Sequence, residues 1–314
     1  MRPFRFGVTL YPVMDSRAEW LDRVRRVEAS GFSIVTVTDH FHNSGGVWSS
    51  LVAAYDAAPS LRVGTLVLNN DFWNPSILAR EAITTDVLTN GSLELGVGAG
   101  WDDPDYAAAG IEKRPPGIRI ERLGEALRIL RLALSGEPVH LDGAHYRVDG
   151  GEPWPRPAQR RVPLVVGGGG RRVLRLAARE ADVVSVHRNL EHGVAASWVE
   201  ERRGDRRLDA GVSERIGWIR EAAGERFPEL ELHALILKVA ITEDRESAAA
   251  ELGRSNGLSA EDVLASPHYL VGTVDGIAGE LRERRERWGI SYWTLAGGQD
   301  PELLAPVVER LAGT

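Results

Sequence analysis

Residues 61–101 read LRVGTLVLNNDFWNPSILAREAITTDVLTNGSLELGVGAGW. Leu61–Leu68 and Leu93–Val97 are short apolar runs of the kind that a buried strand requires. Between them, Asn74-Pro75 marks a helix start, because proline at the first turn lacks an N–H that would have no intrahelical partner anyway. Ile77 to Leu88 then reads as a helix. Two buried strands joined through a helix form a parallel crossover unit, so the segment predicts an α/β fold.

The same alternation recurs on both sides. Phe4–Leu10 is a strand-like run, followed by Trp20, Leu21, Val24 and Val27 at helical spacing, with Gly31 at the place of a C-cap. Ser33–Val37 is the next run. Ile118–Leu134 is a strong amphipathic helix, Pro163–Val166 a fifth run and Val173–Ala181 a further helix. Asp182–Val186 is the sixth run, Leu230–Ile241 holds the seventh, and Ser291–Leu295 is the eighth. Pro301–Leu311 ends the pattern as a helix. Eight runs predict a (β/α)8 TIM barrel. A doubly wound open sheet is the alternative, usually with fewer strands. Residues 1–314 read as one domain with insertions near 101–117, 137–161 and 188–209. In the second, Asp142-Gly143 is a hairpin signal.

Composition narrows the chemistry. The chain has 314 residues, 43% of them hydrophobic, and no cysteine. Disulfides, thiolate nucleophiles, thiolate zinc sites and iron–sulfur clusters are thereby excluded. A net charge of −7 argues against nucleic acid and anionic membranes as partners. Met1–Phe6 carries no apolar leader, and no apolar run reaches ~18 residues, so a cytoplasmic protein acting on a small molecule is expected. Lys113 and Lys238 are the only lysines, so a Schiff base would have to use one of them; base composition accounts for most of the arginines.

In a barrel, the chemistry sits where the strands end. Those ends carry Asp39-His40-Phe41-His42, then Asn69 to Asn74, Gly98 to Asp103, Gly167 to Arg172, His187-Arg188-Asn189 and Gly297 to Asp300. Gly167, Gly168, Gly169 and Gly170 open a helix, whose N–H groups can approach a phosphate, and Arg171 and Arg172 add charge. The plain alternative is a tight turn that binds nothing. Gly96, Gly98 and Gly100 read as room for something flat against the backbone. His40 and His42 point the same way in an extended chain and could share a metal with His187 and Asp300, as in a barrel hydrolase. Asp39 beside His40 suits proton handling instead. Asn69 and Asn70 could cap a helix or bond the edge of a heterocycle. His140, His145, His192, His233 and His268 read as surface or satisfied histidines.

Gly64–Phe72, Pro75, Leu78–Ala82 and Leu93–Trp101 together resemble the bacterial luciferase-like superfamily, and within it the coenzyme F420-dependent oxidoreductases. Pro116–Ile120, Gly143 with His145-Tyr146, and Val166–Asp182 continue the resemblance. It implies a TIM barrel, a homodimer, and a deazaflavin in the barrel mouth exchanging a hydride with an organic substrate. It places Asp39 and His40 against the cofactor, with His40 as proton carrier and Asp39 orienting it. It also implies a cis non-proline peptide around Val67, Leu68, Asn69 and Asn70, and a phosphate on Gly167–Gly170 with Arg171. The sugar-phosphate dehydrogenases of this superfamily carry a glutamate where Trp101 stands. Trp101, Phe72, Trp73 and Tyr106 therefore point to an apolar or aromatic substrate, with His187 a further contact. The rival readings are an FMN-dependent monooxygenase fed by a separate reductase, a metal-dependent barrel hydrolase and a non-catalytic flavin-binding protein.

Overall fold

The structure is a computed structural model that describes residues 1–12, 16–41, 44–190, 208–254 and 256–314. The chain runs β1 (Arg5–Leu10), α1 (Arg17–Ala29), β2 (Ile34–Val37), α2 (Val47–Ala57), β3 (Arg62–Thr65), β4 (Leu68–Asn69), α3 (Pro75–Leu88) and β5 (Leu93–Gly98). It continues through α4 (Asp103–Ala109), α5 (Pro116–Leu134), β6 (Val139–Asp142), β7 (Arg147–Gly150), β8 (Leu164–Gly168), α6 (Arg171–Glu180), β9 (Val183–Val186) and α7 (Leu208–Ala223). The last part holds β10 (Glu231–Ile236), β11 (Lys238–Ile241), α8 (Arg245–Arg254), α9 (Ala260–Ala265), β12 (Tyr269–Gly272), α10 (Val274–Trp288), β13 (Ile290–Leu295) and α11 (Ala305–Leu311).

Parallel pairing runs β3-β2-β1-β13-β10-β9-β8-β5, and β3 pairs with β5 to close the ring. This is the eight-stranded (β/α)8 barrel that the strand count predicts. The third strand is interrupted: β3 stops at Thr65, the Leu66–Val67 peptide is cis, and β4 resumes against Val97 and Gly98. The cis bond lies where the resemblance places one.

Local chemistry explains the elements. Asn74 Oδ1 accepts from the N–H groups of Ser76 (3.0 Å) and Ile77 (3.4 Å), and Pro75 follows, so α3 starts as the sequence predicts. Such a cap is worth ~1 kcal/mol. Helix α3 buries Leu78, Ala82 and Ile83 and leaves Ile77 and Leu88 to solvent. Burial of each large apolar side chain stabilises by about 1.5–3 kcal/mol.

Polar groups cross the barrel interior. At the strand starts, Arg5 reaches Glu94 (2.7 Å) and Glu231 (2.9 Å), Arg62 reaches Glu94 (2.7 Å), and the Arg5 guanidinium covers the Tyr292 ring at 4.1 Å. Burial alone would raise the Glu94 carboxyl, but Arg5 and Arg62 overcome it and hold the group below its ordinary range. Nearer the strand ends, Thr9 bonds Thr36 (2.9 Å), and His233 lies between Ser185 Oγ (2.7 Å) and Thr294 Oγ1 (2.8 Å).

One expectation changes. The seventh run divides: β10 stays in the barrel, while β11 leaves it to pair with β12 in a two-stranded sheet. Residues 238–273 thus form an insertion that the sequence did not announce, because its short helices and strands repeat the periodicity of the barrel itself. The expected hairpin near Asp142-Gly143 is present as antiparallel β6 and β7. Residues 191–207, most of the third expected insertion, lie outside the described residues. Among the described residues no helix is long and apolar enough to cross a membrane.

Candidate active site at the barrel mouth

The segment after β2 brings in Asp39 and His40. Asp39 Oδ2 accepts from the backbone N–H of Asn69 (3.1 Å) and from Trp73 Nε1 (3.0 Å), tying the second strand end to the third. Burial pushes the Asp39 carboxyl above its ordinary value, against those donors. The imidazole of His40 is not oriented by Asp39, as the sequence led one to expect. Its Nδ1 lies 2.5 Å from Oδ2 of Asp105, on α4, and Asp105 Oδ1 accepts from the Phe41 N–H at 2.8 Å. Asp39 is occupied by Asn69 and Trp73, so the nearest carboxylate comes from another element.

Trp101 stands edge-on to His40, with ring centroids 6.2 Å apart. Its loop is held by the buried Arg119 of α5, which donates to the carbonyls of Ala99 (3.1 Å), Gly100 and Arg114. Lys113 donates to the Trp101 carbonyl at 2.7 Å. Phe72 lies edge-on between Phe41 and Tyr106, at 5.2 Å from each. Tyr106 is buried, and its hydroxyl lies within reach of Asn69 Oδ1 (3.3 Å) and Asp71 Oδ2 (3.1 Å). It braces the site; burial first pushes its phenol up to about 12.

The two asparagines part ways. Asn69 caps the turn Asn70–Phe72, accepting from Asp71 N. Asn70 is buried and donates its amide to Tyr146 Oη (3.4 Å), while its Oδ1 has no partner. A buried acceptor left unpaired costs about 1–3 kcal/mol, so it marks a place for a ligand donor.

The strand-end glycines need a different reading from the one the sequence offered. A side chain at Gly96 would collide with the Thr65 carbonyl, and one at Gly98 would meet Val67 Cγ2 at 2.8 Å. The room is filled by the interrupted third strand, with Val67 and Leu68 at its turn, and not by a flat ligand. Gly169 likewise accommodates the Arg188 backbone. Gly170 is the N-cap of α6 and, having no side chain, cannot itself cap that helix. Arg171 is exposed, 3.8 Å from Glu221, and Arg172 pairs with Glu121. The buried cations beside the glycine turn are Arg188 and Arg215; Arg215 Nε donates to the Gly169 carbonyl at 3.0 Å. Arg215 was not legible beside the glycines in the sequence, because it arrives from α7, far along the chain.

His187 follows β9 and stacks on His268 at 6.2 Å, with 11° between the rings. Burial first, then Arg188 and Arg215, pushes His187 down to about 4. His233 and His268 are buried and bonded, as expected. Of the proposed metal partners, Asp300 pairs with Arg26 at the surface, and His42 lies outside the described residues. His40, Asp102 and Asp105 do bring one ligand-type atom each within 4.8 Å of one another. Asp105 Oδ1 accepts from the Phe41 N–H and its Oδ2 lies against His40 Nδ1, an arrangement that also suits an acid–base pair. A cleft of about 590 Å³ lies away from the mouth, between α10 and the insertion, lined by Arg245, Val271, Thr273 and Glu280.

A closed parallel barrel whose strand ends carry His40 against a carboxylate, the orphaned Asn70 acceptor and the α6 N-terminus defines an α/β-barrel protein with a candidate site at its mouth. The chain belongs to the luciferase-like monooxygenase family, whose model matches residues 2–292. An F420-dependent glucose-6-phosphate dehydrogenase of Gordonia bronchialis is 33% identical over 165 residues, covering 49% of this chain and 48% of that protein. The chain thus spans about half the length of the curated relatives it matches. Among solved structures, an F420-dependent secondary alcohol dehydrogenase in complex with an F420-acetone adduct superposes with TM-score 0.76 at 19% identity, covering 99% of both chains. The monooxygenase RslO1 from Streptomyces bottropensis superposes with TM-score 0.70 at 20% identity, covering 98% of this chain and 97% of its own.

Proposed function

We propose that the chain is an oxidoreductase that uses coenzyme F420 and acts on a small organic substrate at the barrel mouth. The observation that carries the reading is the presence, at one end of the barrel, of a carboxylate-held imidazole at His40 and the α6 N-terminus that opens at Gly170. The first can carry a proton and the second can accept an anion. The 33% identity to an F420-dependent dehydrogenase supports the choice of cofactor.

The residues present fit the group. The unpaired Oδ1 of Asn70 offers an acceptor to a ring N–H, and the α6 N-terminus with Arg188 and Arg215 nearby offers positive potential to an anionic tail. F420 bound there would supply the hydride transfer. The chain supplies the rest. Val67 and Leu68 form the bulged third strand end, Asp39 ties that end to the second, and Arg119 fixes the loop that carries Trp101. His40 Nε2 gives or takes the proton. Trp101 and Phe72 narrow the opening and exclude water, and no charged group takes the place of Trp101, which favours an apolar substrate.

Titration of the purified chain with F420 and, in parallel, with FMN tests the reading by fluorescence quenching. Saturable F420 binding is expected. Tight FMN binding without F420 binding would overturn the cofactor and favour a flavin monooxygenase.

A further inference from the structure

Asp105 is nearly closed to solvent, at 3% exposure, yet it is not spent on packing its own helix. Its two oxygens meet two consecutive residues of another segment: one lies 2.5 Å from Nδ1 of His40, and the other accepts from the backbone N–H of Phe41 at 2.8 Å. This double attachment fixes both the strand-end backbone and the plane of the ring. An ionised carboxylate can only accept, so the hydrogen lies on Nδ1 and Nε2 carries the lone pair.

We propose that Asp105 is the positioning residue of this site: it holds His40 in the Nδ1–H tautomer and leaves Nε2 as the atom that exchanges a proton with the substrate. The inference rests on the reading of His40 as the proton carrier. The Asp105 carboxylate arrives four residues after Trp101, from the first turn of α4. Among the described residues, the carboxylates near the ring are Asp39 on its own segment, Asp102 on the Trp101 loop and Asp105 on α4. Of these, Asp105 makes the hydrogen bond to Nδ1.

Asp105→Asn separates this role from simple packing. The asparagine Oδ1 can still accept from Phe41 N–H, but its amide nitrogen would donate to Nδ1 and so move the ring hydrogen to Nε2. Nitrogen-15 NMR of the apoprotein reads the tautomer directly. The wild type is expected to show Nδ1–H, and Asp105→Asn is expected to show Nε2–H. The control Asp103→Asn, which removes an exposed carboxylate paired with Lys113, is expected to leave the tautomer unchanged. An unchanged tautomer in Asp105→Asn overturns the proposal. So does a wild-type ring already protonated on Nε2, a result that needs no variant to fold. Because the apoprotein is measured, failure of F420 binding would count against the proposed cofactor and leave this result standing.

Discussion

At the scale of single residues, the proposed site divides its work between a group that would move a proton and groups that hold it. His40→Ala removes the proton carrier and leaves the glycine turn intact. Turnover of an accepted substrate is expected to fall by about 10²–10⁴-fold, with F420 affinity changed only a few-fold. Steady-state rates and a binding titration measure both. His187 gives a second residue-level prediction. Its folded pKa of about 4 lies below the unfolded value, so it contributes stability above about pH 6.5 that is lost as pH falls toward about 4. His187→Gln should flatten this part of the acid limb in urea melts between those pH values; an unchanged slope would contradict it. Asp39 and His40 were legible as a pair because they are neighbours in sequence. The bond from His40 to Asp105 spans 65 positions, and no spacing rule reaches that far.

At the scale of elements, carboxylates do the fastening. Glu125 of α5 accepts the backbone N–H groups of Ala144 (2.8 Å), His145 (2.9 Å) and Tyr146 (2.9 Å), and so clamps the loop of the β6–β7 hairpin. Burial works to raise its carboxyl, but the three N–H groups win and hold it low. A depressed carboxyl stabilises above its unfolded pKa and loses that contribution as pH falls through the folded one. Glu125→Gln should therefore cost about 2 kcal/mol at neutral pH and less in acid. Chemical denaturation at two pH values checks this, and an equal loss at both would contradict it. The hairpin itself was readable from Asp142-Gly143. Its clamp was not, because a buried glutamate on a helix looks like any solvated one in sequence. The interrupted third strand shows the same limit. The resemblance located the cis bond, but residue types alone made Gly96 and Gly98 look like space for a ligand, when they are space for Thr65 and Val67.

At the scale of the whole molecule, an ionic cluster closes the barrel end opposite the site. Glu94 is buried between Arg5 and Arg62, and those arginines reach it from β1 and β3. Glu94→Gln leaves two guanidinium groups short of their shared partner, and a loss of about 3 kcal/mol in unfolding free energy is expected by urea denaturation. The barrel was legible because eight buried runs alternate with helices, a signal summed over the entire chain. The insertion that carries β11 and β12 was hidden within that same signal. The central claim is that the mouth, and no other surface, holds F420. Hydrogen exchange with and without F420 tests it most directly. The account predicts slowed exchange at residues 39–41, 68–73, 99–105 and 168–172. Protection confined to the cleft beside Thr273 and Arg245, with the mouth unchanged, would contradict it.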